Sequence, residues 1–210
     1  TFFELVHVAY DRTVYNCSEK DIIFYHIHNP SNHAQLNFNR LASSPNCILM
    51  VREPVQSCES WVQYSLKTEN YEGILKRIIS MLFEIDNLMF AKNRSIGLRL
   101  EDLKKFPEKT MRALCQWMGI KEENSLYEMT VQGKKWWGNQ EEQNGAEREV
   151  ILPFDNSSIN RKTGEIFSDR DQFILRTLFY PFRVLFGYEE VNEQRFLKDL
   201  LTIRPMLDQM

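Results

Sequence analysis

Glycine is absent from the first 72 residues: the eight in the chain begin at Gly73. That stretch therefore holds no glycine-rich loop of the kind that cradles phosphate with backbone N–H groups. Cysteine is sparse too. Cys17, Cys47, Cys58 and Cys115 form no Cys-x-x-Cys pair, so their spacing indicates neither a zinc site nor a disulfide framework. Cys47 falls in a strand-like run and Cys115 in a helix-like one, which reads as two small core residues in a reducing, cytoplasmic setting. The four histidines join no carboxylates at metal-ligand spacing, and no metal is expected. No apolar run approaches the length of about 18 residues that a spanning helix needs. The opening TFFELVHVAYDR lacks the basic start and long apolar centre of a signal peptide. An excess of one charge sign is also missing. With 26 Lys and Arg against 29 Asp and Glu, the net charge is -3, so no global basic field recruits nucleic acid. Any anion site must be local.

The chain does carry the makings of a core: 43% of its 210 residues are hydrophobic and 26% charged. This predicts a single domain over residues 1–210. Apolar runs of strand length occur at Ile22–Ile27, Cys47–Val51 and Ser95–Leu100. Helical patterns fall between and after them. One begins at Pro54, which suits a helix first turn, and continues through Trp61 and Tyr64. A long one is predicted over Tyr71–Ala91 from Ile74, Ile78, Leu82, Ile85 and Met89. Others cover Pro107–Met118, stopped by Gly119, then Asp169–Phe186, ended by Gly187, and finally Asn192–Leu201. Alternating strands and helices predict an α/β fold, a parallel sheet flanked by helices in three layers. Residues 132–165, rich in Gly, Asn and charge, read as long surface loops, and the aromatic group Phe179–Phe182 as core or interface.

The run CILMV delivers an arginine, Arg52, to its own carboxyl end, where open α/β sheets bind their ligands. Ser60 follows two helical turns later. A guanidinium fork matches a phosphate, and each charge-assisted hydrogen bond is worth roughly 1.5–3 kcal/mol. From spacing alone, Arg52 can equally pair with Glu53 or Glu59 while Ser60 faces solvent.

The segment VREPVQSCES resembles the 3′-phosphate-binding unit of the sulfotransferases, with Arg52 and Ser60 in the two gripping positions. A second segment, IGLRLEDLKKFPEKTMRALCQWMGI, is similar to that family's strand, Glu-Asp-Leu turn and proline-started helix. Glu101 and Asp102 read there as scaffold. A third, FYHIHNPSN, resembles the strand that carries a catalytic histidine. His26 and His28 share one face of such a strand. His28 is nearer the carboxyl end, and 24 residues separate it from Arg52. The resemblance makes His28 the general base, with His33 or a carboxylate as the other options. GKKWWGN is similar to a segment after the core in bacterial relatives; Trp136 and Trp137 can stack on a sugar or another flat acceptor, or at least one can pack in the core, and Lys134 or Lys135 can meet a negative group. NRKTG resembles the late Arg-Lys loop that closes over the 3′-phosphate, which gives Arg161 and Lys162 to the nucleotide. Thr163 interrupts the family's Arg-Lys-Gly order there.

The resemblance covers roughly residues 20–190 and implies a fold of the P-loop nucleotide-binding type. The implied reaction moves a sulfuryl group from 3′-phosphoadenosine 5′-phosphosulfate to a hydroxyl or amine, leaving 3′-phosphoadenosine 5′-phosphate. The expected partners are this nucleotide donor and an acceptor that the sequence does not name, and the oligomeric state is equally unread. One family feature is missing. Nothing before Asp21 resembles the strand and loop that hold the 5′-phosphosulfate, and the expectation is that these precede Thr1. Two rivals remain. A P-loop kinase would share the architecture but would have no use for a 3′-phosphate grip. A catalytically inactive binding module on the same fold would present the Trp136–Trp137 loop to a partner.

Overall fold

The computed structural model describes residues 45–69, 73–86, 88–128, 130–131, 134–135, 153–157, 159–160 and 162–207. His28, His33, Trp136, Trp137, Arg161 and the expected strand Ile22–Ile27 lie outside the described residues. Two compact units are distinguished: Thr1–Cys47 with Asp86–Ile96, and Ile48–Ile85 with Gly97–Met210. The described part is a mostly helical α/β structure.

Strand β1 (Asn46–Val51) and strand β2 (Arg94–Arg99) form a small two-stranded parallel sheet. In β1 the inward positions recur at period two, with Cys47 and Val51 buried and Leu49 packed on the core. Both strands stand within one residue of the apolar runs that predicted them.

In the first unit, Ser95 Oγ donates to the Phe90 and Asn93 carbonyls at 2.8 and 3.1 Å, which closes the turn between helix α3 (Leu88–Lys92) and β2. The same serine hydroxyl meets the buried Cys47 thiol.

The second unit holds most of the elements. Helix α1 (Pro54–Thr68) starts at Pro54 because a first-turn N–H has no intrahelical partner to lose. The Glu53 carboxylate caps it, accepting from Gln56 N at 2.7 Å. Helix α4 (Leu100–Lys105) occupies the predicted Glu-Asp-Leu turn, and α5 (Pro107–Met118) ends at Gly119 in the left-handed region, φ 72°, as expected.

Two predicted helices are each divided. Over Tyr71–Ala91 the chain forms α2 (Ile74–Leu82), a 3-10 turn at Glu84–Asp86, and then α3. The backbone leaves the helical region at Phe83, φ -94° and ψ 1°, and Asp86 favours a cap over a helix interior. Apolar residues keep their three- and four-residue spacing across the break, so periodicity alone joins the pieces. Over Asp169–Phe186 the chain forms α6 (Asp169–Leu178) and α7 (Tyr180–Leu185). Pro181 lacks the N–H that would bond the Thr177 carbonyl, and the helix breaks at Phe179. The last helix, α8 (Glu193–Leu207), runs beyond its predicted end at Leu201 and through Pro205. In the predicted loop region, β3 (Thr130–Val131) and β4 (Lys134–Lys135) make a short antiparallel pair.

The core of this unit gathers Val51, Cys58, Phe179 and Phe182, with Leu49, Ile78, Met81, Leu82, Leu175 and Phe186 packed against them. Phe179 is 1% exposed, which places the Phe179–Phe182 aromatics in the core. The Phe182 and Phe186 rings lie 4.6 Å apart. Phe186 also presses on β2: a methyl group on Gly97 would lie 2.3 Å from Phe186 Cε1. Among the described residues, no helix is long and apolar enough to cross a membrane.

Candidate functional site

The carboxyl end of β1 delivers Arg52 one turn ahead of Gln56 and two ahead of Ser60, a row at four-residue steps along α1. Arg52 Nε donates to Gln56 Oε1 at 2.9 Å, and the same amide donates through Nε2 to the Ile159 carbonyl at 3.3 Å. One glutamine side chain thus links the strand-tip arginine to a loop more than a hundred residues away. Lys162, solvent-exposed, follows three residues after Ile159.

The next contact along the helix is stronger. Glu59 is only 5% exposed, and its carboxylate accepts from three backbone N–H groups of that loop. Gly164 N lies 3.0 and 2.8 Å from Oε1 and Oε2, Ile166 N 2.7 Å and Phe167 N 3.2 Å from Oε1. Burial alone would raise this carboxyl's pKa; the convergent amides outweigh it and hold the value below the usual range. Gln63 adds a contact to Glu165 at 3.1 Å. Gln56, Glu59 and Gln63, at steps of three and four, form a polar seam under the loop. Gly164 makes the bend with φ 101°, a conformation that suits glycine.

Beside this seam opens a cleft of about 670 Å³. Its carboxylates are Glu53, Glu101, Glu189 and Asp199, and its arginines are Arg176, Arg183 and Arg195. Most of these charges are engaged with one another. Arg183 NH1 donates to Glu53 and Arg183 Nε to Glu189 at 2.9 Å. Arg195 pairs with Glu189 in turn, and its Nε lies 3.9 Å from Asp199. The chain Glu53–Arg183–Glu189–Arg195–Asp199 ties the start of α1 to the end of α7 and to α8. Among the described lining residues, four carboxylates stand against three arginines.

Glu101 joins the two strand ends. It accepts from Glu53 N at 2.9 Å and from the Tyr188 hydroxyl at 2.7 Å. Burial, and then this carboxylate, push the Tyr188 phenol far above its ordinary value, so it stays a donor. Asp102 takes a two-pronged contact from Arg99 at 2.6 and 2.8 Å, and Arg99 also reaches the Gly187 carbonyl at 2.9 Å. The hydrogen bond to Asp102 raises the Arg99 pKa further. Both acidic residues therefore do structural work, in keeping with their scaffold reading.

Of the residues singled out in the sequence, Arg52 stands two residues before α1, Ser60 lies on its second turn, and the Lys162 loop lies along the same helix. Glu53 pairs with Arg183, and Glu59 accepts from the loop amides. Sequence reading missed Glu59 as a loop anchor. Its signal was an acidic residue directly after Cys58, at helical spacing from two glutamines. Among the described residues, no group of three or more His, Cys, Asp or Glu is placed to hold a metal. No protein-family model, curated protein or solved structure matches the chain.

Proposed function

We propose that the chain is a sulfotransferase-like protein that binds 3′-phosphoadenosine 5′-phosphosulfate, on a three-layer parallel sheet of the P-loop nucleotide-binding type. One observation carries the reading: Arg52 stands at a parallel strand's carboxyl end, and the Lys162 loop is fastened along the helix that bears Ser60. Arginine, serine hydroxyl and lysine ammonium make a donor set suited to a dianionic phosphate. Arg52 and Ser60 hold the 3′-phosphate, with Arg161 and Lys162 closing from the loop. Binding energy from that remote phosphate orients the reacting end.

The bound donor supplies an activated sulfuryl group. The acceptor oxygen or nitrogen forms a bond to sulfur as the bond from sulfur to the 5′-phosphate oxygen breaks, and the acceptor's proton passes to the base. His28 takes that proton in the resemblance, and Trp136 and Trp137 flank the acceptor.

A second reading, a non-catalytic binding module on the same fold, draws support from the cleft. Its Arg183 and Arg195 already face Glu53, Glu189 and Asp199, so these two arginines are engaged within the protein. Calorimetric titration of the protein expressed from its complete gene separates the readings, using 3′-phosphoadenosine 5′-phosphate with ADP as control. Binding that requires the 3′-phosphate supports the sulfotransferase reading and opens an acceptor screen. Equal binding of ADP points to the kinase rival, and binding of neither nucleotide to the module.

A further inference from the structure

Three backbone N–H groups within four residues, all aimed at one nearly buried carboxylate, are an unusual use of a glutamate. Its neighbour Cys58 is fully buried in the core, and Glu59 itself is 5% exposed. The acid is matched to the loop. Gly164, Ile166 and Phe167 present their amides to it at 2.7–3.2 Å, and Gln56 holds the loop's other end at Ile159. Between these two ties lies the short span that carries Lys162 and Thr163. A span fixed at both ends has little freedom left to lose when a ligand arrives.

We infer that Glu59 is a positioning residue for anion binding: it fixes residues 162–164 against α1 so that Lys162 is presented to the phosphate held by Arg52 and Ser60. The inference rests on the nucleotide-binding reading proposed above. It adds a role that neither the strand-tip arginine nor the loop lysine supplies. Glu59 touches no ligand; it acts through the loop.

The chemistry selects the variants. Glu59→Gln keeps the side chain's volume and one acceptor oxygen, but it turns an amide N–H₂ toward an N–H of the loop. Two donors then face each other. Glu59→Asp keeps the charge on a shorter reach.

The test uses the protein from its complete gene and two readouts. Amide hydrogen exchange at Gly164, Ile166 and Phe167 reports the tie itself, with Cys58 and Phe179 amides in the core as the folding control. Calorimetry with 3′-phosphoadenosine 5′-phosphate reports binding in the wild type, Glu59→Gln, Glu59→Asp, Lys162→Ala and the Glu59→Gln/Lys162→Ala double variant. In Glu59→Gln the loop amides should exchange at least tenfold faster while core amides are unchanged, and affinity should fall about tenfold. Glu59→Asp should recover part of both. In the Lys162→Ala background, Glu59→Gln should cost little more, because the group it positions is already gone.

A wild type that does not bind the nucleotide overturns the functional reading and this inference together. A wild type that binds, with Glu59→Gln binding equally well, overturns this inference alone. An equal loss in both backgrounds does the same, since it would mark a general effect on folding. Should Glu59→Gln also loosen the core amides, Glu59→Asp decides by the same comparisons.

Discussion

Gly97→Ala is the sharpest stability test the packing offers. The added methyl carbon would lie 2.3 Å from Phe186 Cε1 and 2.6 Å from Cδ1. Ordinary carbon contacts are about 3.5 Å, a shortfall of about 1.2 Å at the nearer atom. Phe186 is poorly placed to yield, because its ring lies 4.6 Å from that of Phe182, itself 3% exposed and central to the core. Overpacking of this kind costs about 1–3 kcal/mol, and the confined ring puts this case at the upper end. Removing a glycine from a strand gains roughly 0.5–1 kcal/mol in return. The net expectation is a loss of about 2 kcal/mol, or about 4–8 °C in Tm for a chain of this size. Thermal unfolding by circular dichroism measures it directly. The double variant with Phe186→Ala assigns the cause: once the ring is gone, Gly97→Ala should be neutral or stabilising. A Gly97→Ala protein as stable as wild type would refute the packing, and so would an equal loss in the Phe186→Ala background.

Further outcomes follow from the charged groups and the buried thiol. The Glu59 carboxyl is held below its usual value, so its contribution is present at neutral pH, above the unfolded value near 4.5, and is lost as pH falls through the lowered folded value. Urea midpoints from pH 7 to pH 3 should therefore fall less steeply in Glu59→Gln than in wild type, and parallel curves would contradict the hydrogen-bond account. Arg183→Met leaves Glu53 and Glu189 without their shared cation. With these side chains 15–25% exposed, the expected cost is about 2–3 kcal/mol, below the range for a fully buried pair. A loss under about 0.5 kcal/mol in denaturant titration would show that water replaces the pair freely. Burial, with a smaller push from Glu53, raises the Cys58 thiol to about 12. Peptide mapping after alkylation at pH 8 should find Cys58 unmodified in the native protein and modified in urea; rapid native labelling would contradict its place in the core.

How much of this was legible in the sequence depended on whether the cause was local. The apolar run before Arg52 gave β1, and Pro54 and Gly119 marked helix ends, because strand runs, first-turn prolines and left-handed caps act within a few residues. The breaks at Phe83 and Phe179 were not legible, since the apolar spacing of both helices persists across them. Pro181 was the available signal at the second. The ion-pair chain was beyond sequence reading for another reason: Glu53 and Arg183 stand 130 residues apart, and nothing near either names the other. Glu59 shows the same limit. Its acid was weighed only as a neighbour for Arg52, whereas its partners are backbone amides more than a hundred residues downstream. Arg52 and Ser60 could be singled out because a strand tip followed by a helix is a short-range pattern.

The central claim is that Arg52 holds a 3′-phosphate, and the most direct measurement is the affinity of wild type and Arg52→Ala for 3′-phosphoadenosine 5′-phosphate and for ADP. Two charge-assisted hydrogen bonds from the guanidinium would together contribute about 3 kcal/mol or more, roughly a hundredfold in Kd. The account predicts a wild type that prefers the 3′-phosphorylated nucleotide by at least that factor, and an Arg52→Ala protein in which most of the preference is gone while ADP binding is unchanged. A preference that survives Arg52→Ala intact, or a wild type that does not distinguish the two nucleotides, would contradict it.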